Sequence, residues 1–206
     1  LVLSGAGGTF SAGGDLGALK GAGDGAAATA GGFADLNLLF TRLGKPTIAM
    51  VQGAAMGGGL GLVVACDLAL AAQSALFATP ETKVGLWPMI ISAPLQRCVG
   101  RRQALRLMLG GERLGAAEAL RIGLVTEVLP DEELVERTNK LAAGLATRSP
   151  AVTRMGLEAF NTVQDMELEP ALRLLEQQLW AVLGTEDAME GIRAFMEKRA
   201  PKFKGR

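Results

Sequence analysis

The chain contains no histidine and no tyrosine among its 206 residues. The absence of histidine excludes a Ser-His-Asp triad, a Cys-His pair and any zinc or iron site with histidine ligands. Acid–base chemistry is therefore left to Asp, Glu, Lys and the cysteines. We expect no metal ion and no separate cofactor.

Net charge is absent and cysteine is scarce. The 21 Lys and Arg residues balance the 21 Asp and Glu residues, so no overall field attracts nucleic acid or an anionic membrane. Cys66 and Cys98 stand in apolar surroundings without CxxC spacing. This pattern is typical of small buried side chains in a reducing compartment. We therefore expect a cytoplasmic protein with neither nucleic acid nor a membrane as its partner.

The longest nearly uncharged stretch covers residues 48–66. It contains five glycines and Gln52, and Asp67 follows it directly. These interruptions favour a strand, a glycine turn and a buried helix over a membrane span. The chain starts at Leu1 inside a strand pattern, without Met or a signal-peptide pattern. We therefore expect part of the N-terminal region to be missing.

The glycine turn at Gly57, Gly58 and Gly59 is the most informative feature that is present. It leaves backbone N–H groups bare at the start of a helix, where the helix dipole favours negative charge. A second glycine-rich segment, residues 10–16, offers another N–H, and Glu81 supplies a carboxylate. Each feature alone also fits an ordinary turn or a solvated loop acid. Together they indicate a site for enolate chemistry.

Short apolar strands alternate with helices up to residue 130, which predicts an α/β fold with parallel strand pairing. The expected strands are 1–4, 47–51, 67–72, 77–78 and 124–128, and the expected helices are 33–43, 59–66, 93–99, 101–109 and 116–122. Residues 20–32 are almost all Gly and Ala, which indicates a surface loop near the site.

Helices dominate from Asp131, which is a plausible N-cap, and their apolar stripes exceed what one small core covers. We expect a core over residues 1–130. Residues 131–206 then form a helical region that buries its apolar faces against other subunits.

Several motifs follow one another along essentially the whole chain. They are Phe10-Ser11-Ala12-Gly13-Gly14-Asp15-Leu16, Lys45-Pro46, the glycine turn ending in Cys66-Asp67, Pro80-Glu81 with Gly85, Gly100-Arg101-Arg102-Gln103-Ala104, Ala117-Glu118-Ala119 with Gly123-Leu124-Val125, and residues 190–199. In this order they resemble the crotonase (enoyl-CoA hydratase/isomerase) superfamily. The resemblance implies a spiral of ββα units and a C-terminal helical trimerisation region in a homotrimer or hexamer. It also implies acyl-CoA substrates, with coenzyme A as part of the substrate, and a missing N-terminal hairpin and helix.

The resemblance assigns roles to individual positions. The N–H groups of Gly14 and Gly58 would bind the thioester oxygen, and Glu81 would transfer protons. Phe195 and Lys198 would approach the adenine and phosphates of coenzyme A bound to a neighbouring subunit. The remaining positions that match the family's substrate site are Ala12, Asp15, Leu16, Gly17, Gly57 and Met89.

One departure from the family pattern decides which reaction we expect. Family hydratases carry two glutamates, and the first of these positions is Gly61 here. Addition of water normally uses both carboxylates, whereas moving a double bond from C3 to C2 needs only one base. The single Glu81 therefore favours isomerisation. Hydration of a 2-enoyl-CoA is the alternative enzymatic reaction, and a non-catalytic acyl-CoA- or RNA-binding homologue is the alternative of another class.

A second departure lies just after Glu81. Hydratases have a glycine-rich turn there, whereas this chain has Pro88-Met89-Ile90-Ile91. These apolar residues predict either a wall beside Glu81 or an ordinary part of the core.

Overall fold

The structure, a computed structural model, describes residues 1–14 and 32–206. It forms two compact units, one of Leu1–Phe40 with Thr47–Lys140 and one of Thr41–Pro46 with Leu141–Arg206. The predicted boundary near residue 130 lies earlier in the chain than the end of the first unit. Asp15, Leu16, Gly17 and residues 20–31 of the predicted loop lie outside the described residues.

A four-stranded parallel sheet lies at the centre of the first unit. Its strands, in spatial order, are β1 (Val2–Ser4), β2 (Ile48–Val51), β4 (Leu68–Ala72) and β7 (Glu127–Leu129). The register of the two central strands runs from Ile48 beside Leu68 to Val51 beside Ala71. Both are continuous apolar runs, as expected for parallel strands that are covered on both faces. The predicted parallel pairing is confirmed.

A second sheet of three short strands carries the segments of the candidate site. Strand β3 (Ala54–Met56) pairs in parallel with β5 (Leu76–Ala78), and β5 pairs antiparallel with β6 (Leu114–Gly115). The sequence predicts part of β5 but neither β3 nor β6. Strands of two or three residues are too short to show a hydrophobic alternation.

The strand predicted over 124–128 is shifted in the structure. Only its last two residues belong to β7, which ends at Leu129. The N–H groups of Leu124 and Val125 donate to the carbonyl of Ala119 instead. These two residues are therefore buried as part of the turn that follows a helix.

Four helices complete the described part of the first unit. They are α1 (Phe33–Arg42), which continues into the second unit, α2 (Gly58–Ala65), α3 (Met89–Gly110) and α4 (Ala116–Arg121). Helix α3 starts earlier than predicted and joins the two helices expected at 93–99 and 101–109. The backbone leaves the helical conformation at Gly100, where φ is 75° and ψ is 160°. The predicted interruption between the two helices is therefore confirmed.

Two short 3₁₀ helices, Pro80–Val84 and Asp131–Glu133, connect larger elements. The prediction that Asp131 caps a long helix is wrong. Its carboxylate instead accepts hydrogen bonds from the backbone N–H of Ser74, at 3.1 Å, and from the Ser74 hydroxyl. These bonds lower the pKa of Asp131 and tie the turn after β4 to the chain after β7.

The second unit is helical. Its helices are α5 (Leu134–Ala146), which begins in the first unit, α6 (Pro150–Val163), α7 (Leu168–Leu183) and α8 (Glu186–Met196). Ser149 and Thr185 cap α6 and α8, because their hydroxyls accept from the N–H groups of Val152 and Ala188. Helix α7 leaves Leu168, Leu172, Leu179 and Trp180 exposed. Within the described ranges, no helix has both the length and the apolar character that crossing a membrane requires.

Candidate active site

Strand β3 brings the two glycine-rich segments together. Ser11 forms a parallel bridge with Ala55, donating its N–H to the carbonyl of Ala54 and accepting from the N–H of Met56, both at 2.9 Å. Residues 13 and 14 follow this bridge, and the glycine turn follows β3. The two segments therefore run side by side, although more than forty positions separate them in the sequence.

The close approach leaves little space for a side chain at Gly13 and none at Gly59, whose Cβ would lie 2.6 Å from Cβ of Ser11. At Gly13, where φ is 101°, a Cβ would lie 3.0 Å from the carbonyl oxygen of Met56 and 3.9 Å from the nitrogen of Gly58. A Cβ on Gly58 would lie 4.0 Å from the nitrogen of Gly14. The backbone nitrogens of Gly14 and Gly58 thus lie at one place in the fold.

Both of these backbone N–H groups are available to a ligand. Neither Gly14 nor Gly58 donates a backbone hydrogen bond to another described residue. The N–H of Gly57, in contrast, donates to the carbonyl of Ala78 at 2.8 Å, which fixes the turn to β5. Gly58 is the first residue of α2, so its N–H also lies at the positive end of the helix dipole.

Glu81 lies next to this turn. It occupies the 3₁₀ helix that follows β5, and its carbonyl accepts from the N–H of Leu86 at 3.0 Å. Its carboxylate contacts the backbone at Gly57, where a Cβ would lie 2.7 Å from Oε1 and 3.3 Å from Cδ. Gly57 has φ 52°, a conformation that also favours glycine. The glycine at this position therefore leaves room for the carboxylate beside the glycine turn.

The Glu81 carboxylate is only partly satisfied. Its Oε2 atom is buried and has no hydrogen-bond partner among the described residues. Buried carboxylate oxygens are normally bonded, so an orphan oxygen beside two free N–H groups points to a ligand. This arrangement can bind a carbonyl oxygen and move a proton at a neighbouring carbon.

Gly61, one helical turn beyond Gly57, is surrounded by apolar side chains instead of a carboxylate. A Cβ on Gly61 would overlap Cγ2 of Ile91 and would lie 2.9 Å from Cζ of Phe33. Two apolar side chains thus fill the space where a second acid would have to begin. The sequence predicts neither contact, because Phe33 fits only the apolar stripe of a helix and Ile91 only an apolar run.

The apolar wall beside Glu81 at Met89–Ile91 stays a prediction, because the structure places only Ile91 in the interior, against Gly61. Ile91 is buried, with 3% of its surface exposed, whereas Met89 is 73% exposed and Ile90 is also exposed. These residues begin α3, so their side chains point to different sides of one helical turn. Ile91, together with Phe33, forms the wall that the structure contains.

The other predicted substrate residues lie in several places. Ala12 and Gly57 belong to the two paired segments, while Asp15, Leu16 and Gly17 lie outside the described residues. Phe195 and Lys198 share a turn at the end of α8, where the N–H of Lys198 donates to the carbonyl of Phe195 at 3.2 Å. Phe195 is 85% exposed. The predicted contact of these last two residues with coenzyme A stays a prediction.

A second buried carboxylate, Asp187, fixes the C-terminal tail of the second unit. It is 1% exposed and accepts hydrogen bonds from the Ser149 hydroxyl at 2.6 Å and from the N–H groups of Lys204, at 2.6 Å, and Gly205, at 2.9 Å. Burial alone would raise the pKa of Asp187, but these bonds bring it below its usual value. Asp187 therefore has a structural role.

Comparison with known proteins matches this architecture to one family. The sequence model of the family described as enoyl-CoA hydratase/isomerase matches residues 1–206. The chain is 38% identical over 205 residues to a "Probable enoyl-CoA hydratase" of Mycobacterium tuberculosis, covering 98% of this chain and 79% of the relative. It is also 38% identical over 164 residues to a "Probable enoyl-CoA hydratase, mitochondrial" of Dictyostelium discoideum, covering 79% of this chain and 59% of that relative.

The fold has the same counterpart among solved structures. The crystal structure of an enoyl-CoA hydratase from Bacillus anthracis superposes with a TM-score of 0.94 at 34% identity. The match covers all of this chain and 81% of that structure. The predicted α/β fold with C-terminal helices is confirmed by this match. The chain spans 59% of the length of the Dictyostelium relative, 79% of the Mycobacterium relative and 81% of the Bacillus anthracis structure.

Proposed function

Because the chain belongs to the enoyl-CoA hydratase/isomerase family, we propose that it moves the double bond of an enoyl-CoA from C3 to C2, with Glu81 as its single acid–base group. The chain is an enzyme of the crotonase type, a hydratase or an isomerase. One observation favours isomerisation over hydration. The carboxylate of Glu81 lies against the glycine turn, while Gly61 has no space for a second acid.

The first step is removal of a proton from C2 of the bound 3-enoyl thioester. Glu81 takes this proton, and the electron pair of the C2–H bond forms a C1–C2 double bond while the thioester oxygen becomes negative. The N–H groups of Gly14 and Gly58 donate to that oxygen. In other enzymes the loss of one such donor costs about 3–4 kcal/mol of transition-state stabilisation.

The second step returns the same proton to C4. The electrons on oxygen form the thioester carbonyl again, and the electron pair of the C1–C2 double bond moves to C2–C3. The electron pair of the C3–C4 double bond takes the proton from Glu81 at C4. The double bond then lies between C2 and C3, and the carboxylate is regenerated. No water and no second acid enter this sequence, which suits a site with one carboxylate beside apolar side chains.

Hydration of a 2-enoyl-CoA is the second candidate, because both curated relatives described above carry the name of a hydratase. It requires a bound water that is deprotonated as it attacks C3, together with a proton for C2. With one carboxylate, Glu81 would have to serve both purposes. Water addition should therefore be the slower reaction of the parent enzyme.

We also propose that the protein assembles into a homotrimer or hexamer, and that Phe195 and Lys198 contact coenzyme A bound to a neighbouring subunit. The exposed apolar side chains of α7 and the exposure of Phe195 support an interface in the second unit. Sedimentation at micromolar concentration should give a trimer or hexamer, and a stable monomer would contradict this proposal. The two free cysteines support the proposed cytoplasmic location.

A panel of 2-enoyl- and 3-enoyl-CoA substrates of several chain lengths tests the proposed reaction. We expect conversion of a 3-enoyl-CoA to its 2-enoyl isomer to be faster than hydration of any 2-enoyl-CoA, with both lost in Glu81→Gln. Rapid formation of 3-hydroxyacyl-CoA as the main activity would make the enzyme a hydratase. The assays should use the full-length protein.

A further inference from the structure

We infer that Ile91, assisted by Phe33, determines reaction specificity by closing the space over Gly61 to water. This inference rests on the proposed function, because it explains how one site performs isomerisation rather than hydration. It concerns two side chains that have no ionisable group and act by occupying space. Ile91 is buried, whereas its neighbours Met89 and Ile90 are exposed.

The position of Ile91 is determined by the first turn of α3. The N–H of Ser92 donates to the carbonyl of Pro88 at 3.1 Å, and the Ser92 hydroxyl donates to the same carbonyl at 2.7 Å. The indole N–H of Trp87 in turn donates to the Ser92 hydroxyl at 3.2 Å. These bonds hold the first turn of the helix in shape and so set the direction in which the Ile91 side chain leaves it.

Phe33 connects the wall to the glycine N–H groups. Its Cζ lies 2.9 Å from the Cβ position of Gly61 and 3.8 Å from the Cβ position of Gly58. The ring therefore lies against both glycines of one helical face. A substrate whose carbonyl oxygen reaches the N–H of Gly58 would have this ring and Ile91 as its neighbours on the side of Gly61.

The chemistry of the wall excludes an ordered water. A bound water typically makes two to four hydrogen bonds, and the nearest atoms over Gly61 belong to two apolar side chains. A dienolate formed by Glu81 then has one productive outcome, return of the proton. Removal of the Cγ2 methyl group of Ile91 would make room for water near the acyl chain.

The first experiment compares Ile91→Ala with Ile91→Val. Both shorten the side chain, but Val keeps the branched methyl that meets Gly61, while Ala removes it. We expect Ile91→Ala to raise the ratio of hydration to isomerisation about tenfold, the lower end of what such pocket changes produce. Ile91→Val should keep the parent ratio. Leu107→Ala, at another buried position of α3, should also keep it and controls for general loss of packing.

The second experiment restores a second acid. Gly61→Glu alone should fold poorly, because its Cβ would overlap Ile91. The double variant Gly61→Glu with Ile91→Ala should fold better than Gly61→Glu and hydrate 2-enoyl-CoA faster than Ile91→Ala. An unchanged ratio in Ile91→Ala would overturn the inference, as would a double variant that hydrates no faster than Ile91→Ala.

The parent enzyme provides the readout that separates this inference from the proposed function. In D2O, the parent enzyme should exchange the C2 proton of an acyl-CoA for deuterium, and this exchange does not depend on the role of Ile91. Exchange and isomerisation by the parent, together with an unchanged ratio in Ile91→Ala, would remove only the role of Ile91. A parent that neither exchanges nor isomerises would remove the proposed function and this inference with it.

Discussion

Glu81 in the first unit and Asp187 in the second are both carboxylates in partly or fully buried surroundings, yet their partners differ. Asp187 accepts from one hydroxyl and two backbone N–H groups. Glu81 leaves Oε2 buried without a partner among the described residues and contacts a glycine backbone. A fully bonded carboxylate stabilises the structure, whereas a carboxylate held close to free donors is available for proton transfer.

The largest expected effect is the loss of catalysis in Glu81→Gln. Gln keeps the shape of the side chain but cannot accept a proton, so kcat should fall by about 10²–10⁴. Acyl-CoA binding should persist, because Gly14 and Gly58 are unchanged. Kinetics together with calorimetric titration of an acyl-CoA measure both quantities. If turnover of every substrate stays within a few-fold of the parent, another acid carries the reaction, and Asp24, which lies outside the described residues, becomes the first candidate.

Gly57→Ala should have the next largest effect. The added methyl would displace the Glu81 carboxylate, and a misplacement of about 1 Å can cost about 10²-fold in rate. The strain of a side chain at φ 52° and ψ −121° adds about 1–3 kcal/mol of destabilisation. Gly7→Ala is the matched control, since Gly7 has φ 68° and nothing within 4 Å of its Cβ position. Equal losses of kcat in both variants would show that strain, not displacement of Glu81, is responsible.

Gly61→Ala should reduce stability because of its packing against Ile91. Overpacking of this kind costs about 1–3 kcal/mol, which urea unfolding measures as a lower midpoint. Gly144→Ala, on the helix α5 with nothing near its Cβ position, should instead gain about 0.5–1 kcal/mol. If Gly61→Ala left the stability unchanged, the space over Gly61 would be more open than the contacts indicate.

The smallest expected effect is the response of the C-terminal tail to acid. The pKa of Asp187 is lowered in the folded protein, so its stabilising bonds are fully present above the usual value near 3.8 and are lost as the pH falls through the lowered value. Hydrogen exchange of the Lys204 and Gly205 amides should therefore accelerate only in strong acid. Asp187→Asn should accelerate it already at neutral pH and leave kcat unchanged. Protected amides in Asp187→Asn at neutral pH would contradict the structural role of Asp187.

Much of this site could be predicted from local sequence, but its apolar side could not. Glycine turns at helix starts and a lone acid after a proline are visible in short windows, and the resemblance to the crotonase superfamily then singles out Gly14, Gly58 and Glu81. The contacts of Phe33 and Ile91 with Gly61 join elements far apart in the chain, and no local pattern encodes them. The same limit applies to strands β3 and β6, which depend on partners rather than on alternation, and to Asp131, whose bonds with Ser74 compete with a capping role.

In the proposed reaction, Glu81 alone carries one proton between C2 and C4. A 3-enoyl-CoA deuterated at C2, converted in ordinary water and examined by NMR, tests it most directly. Part of the 2-enoyl-CoA product should carry deuterium at C4, since the same carboxyl group removes and returns it. Glu81→Gln should form almost no product. Product formed by Glu81→Gln at the parent rate, or a parent product that never carries deuterium at C4, would contradict it.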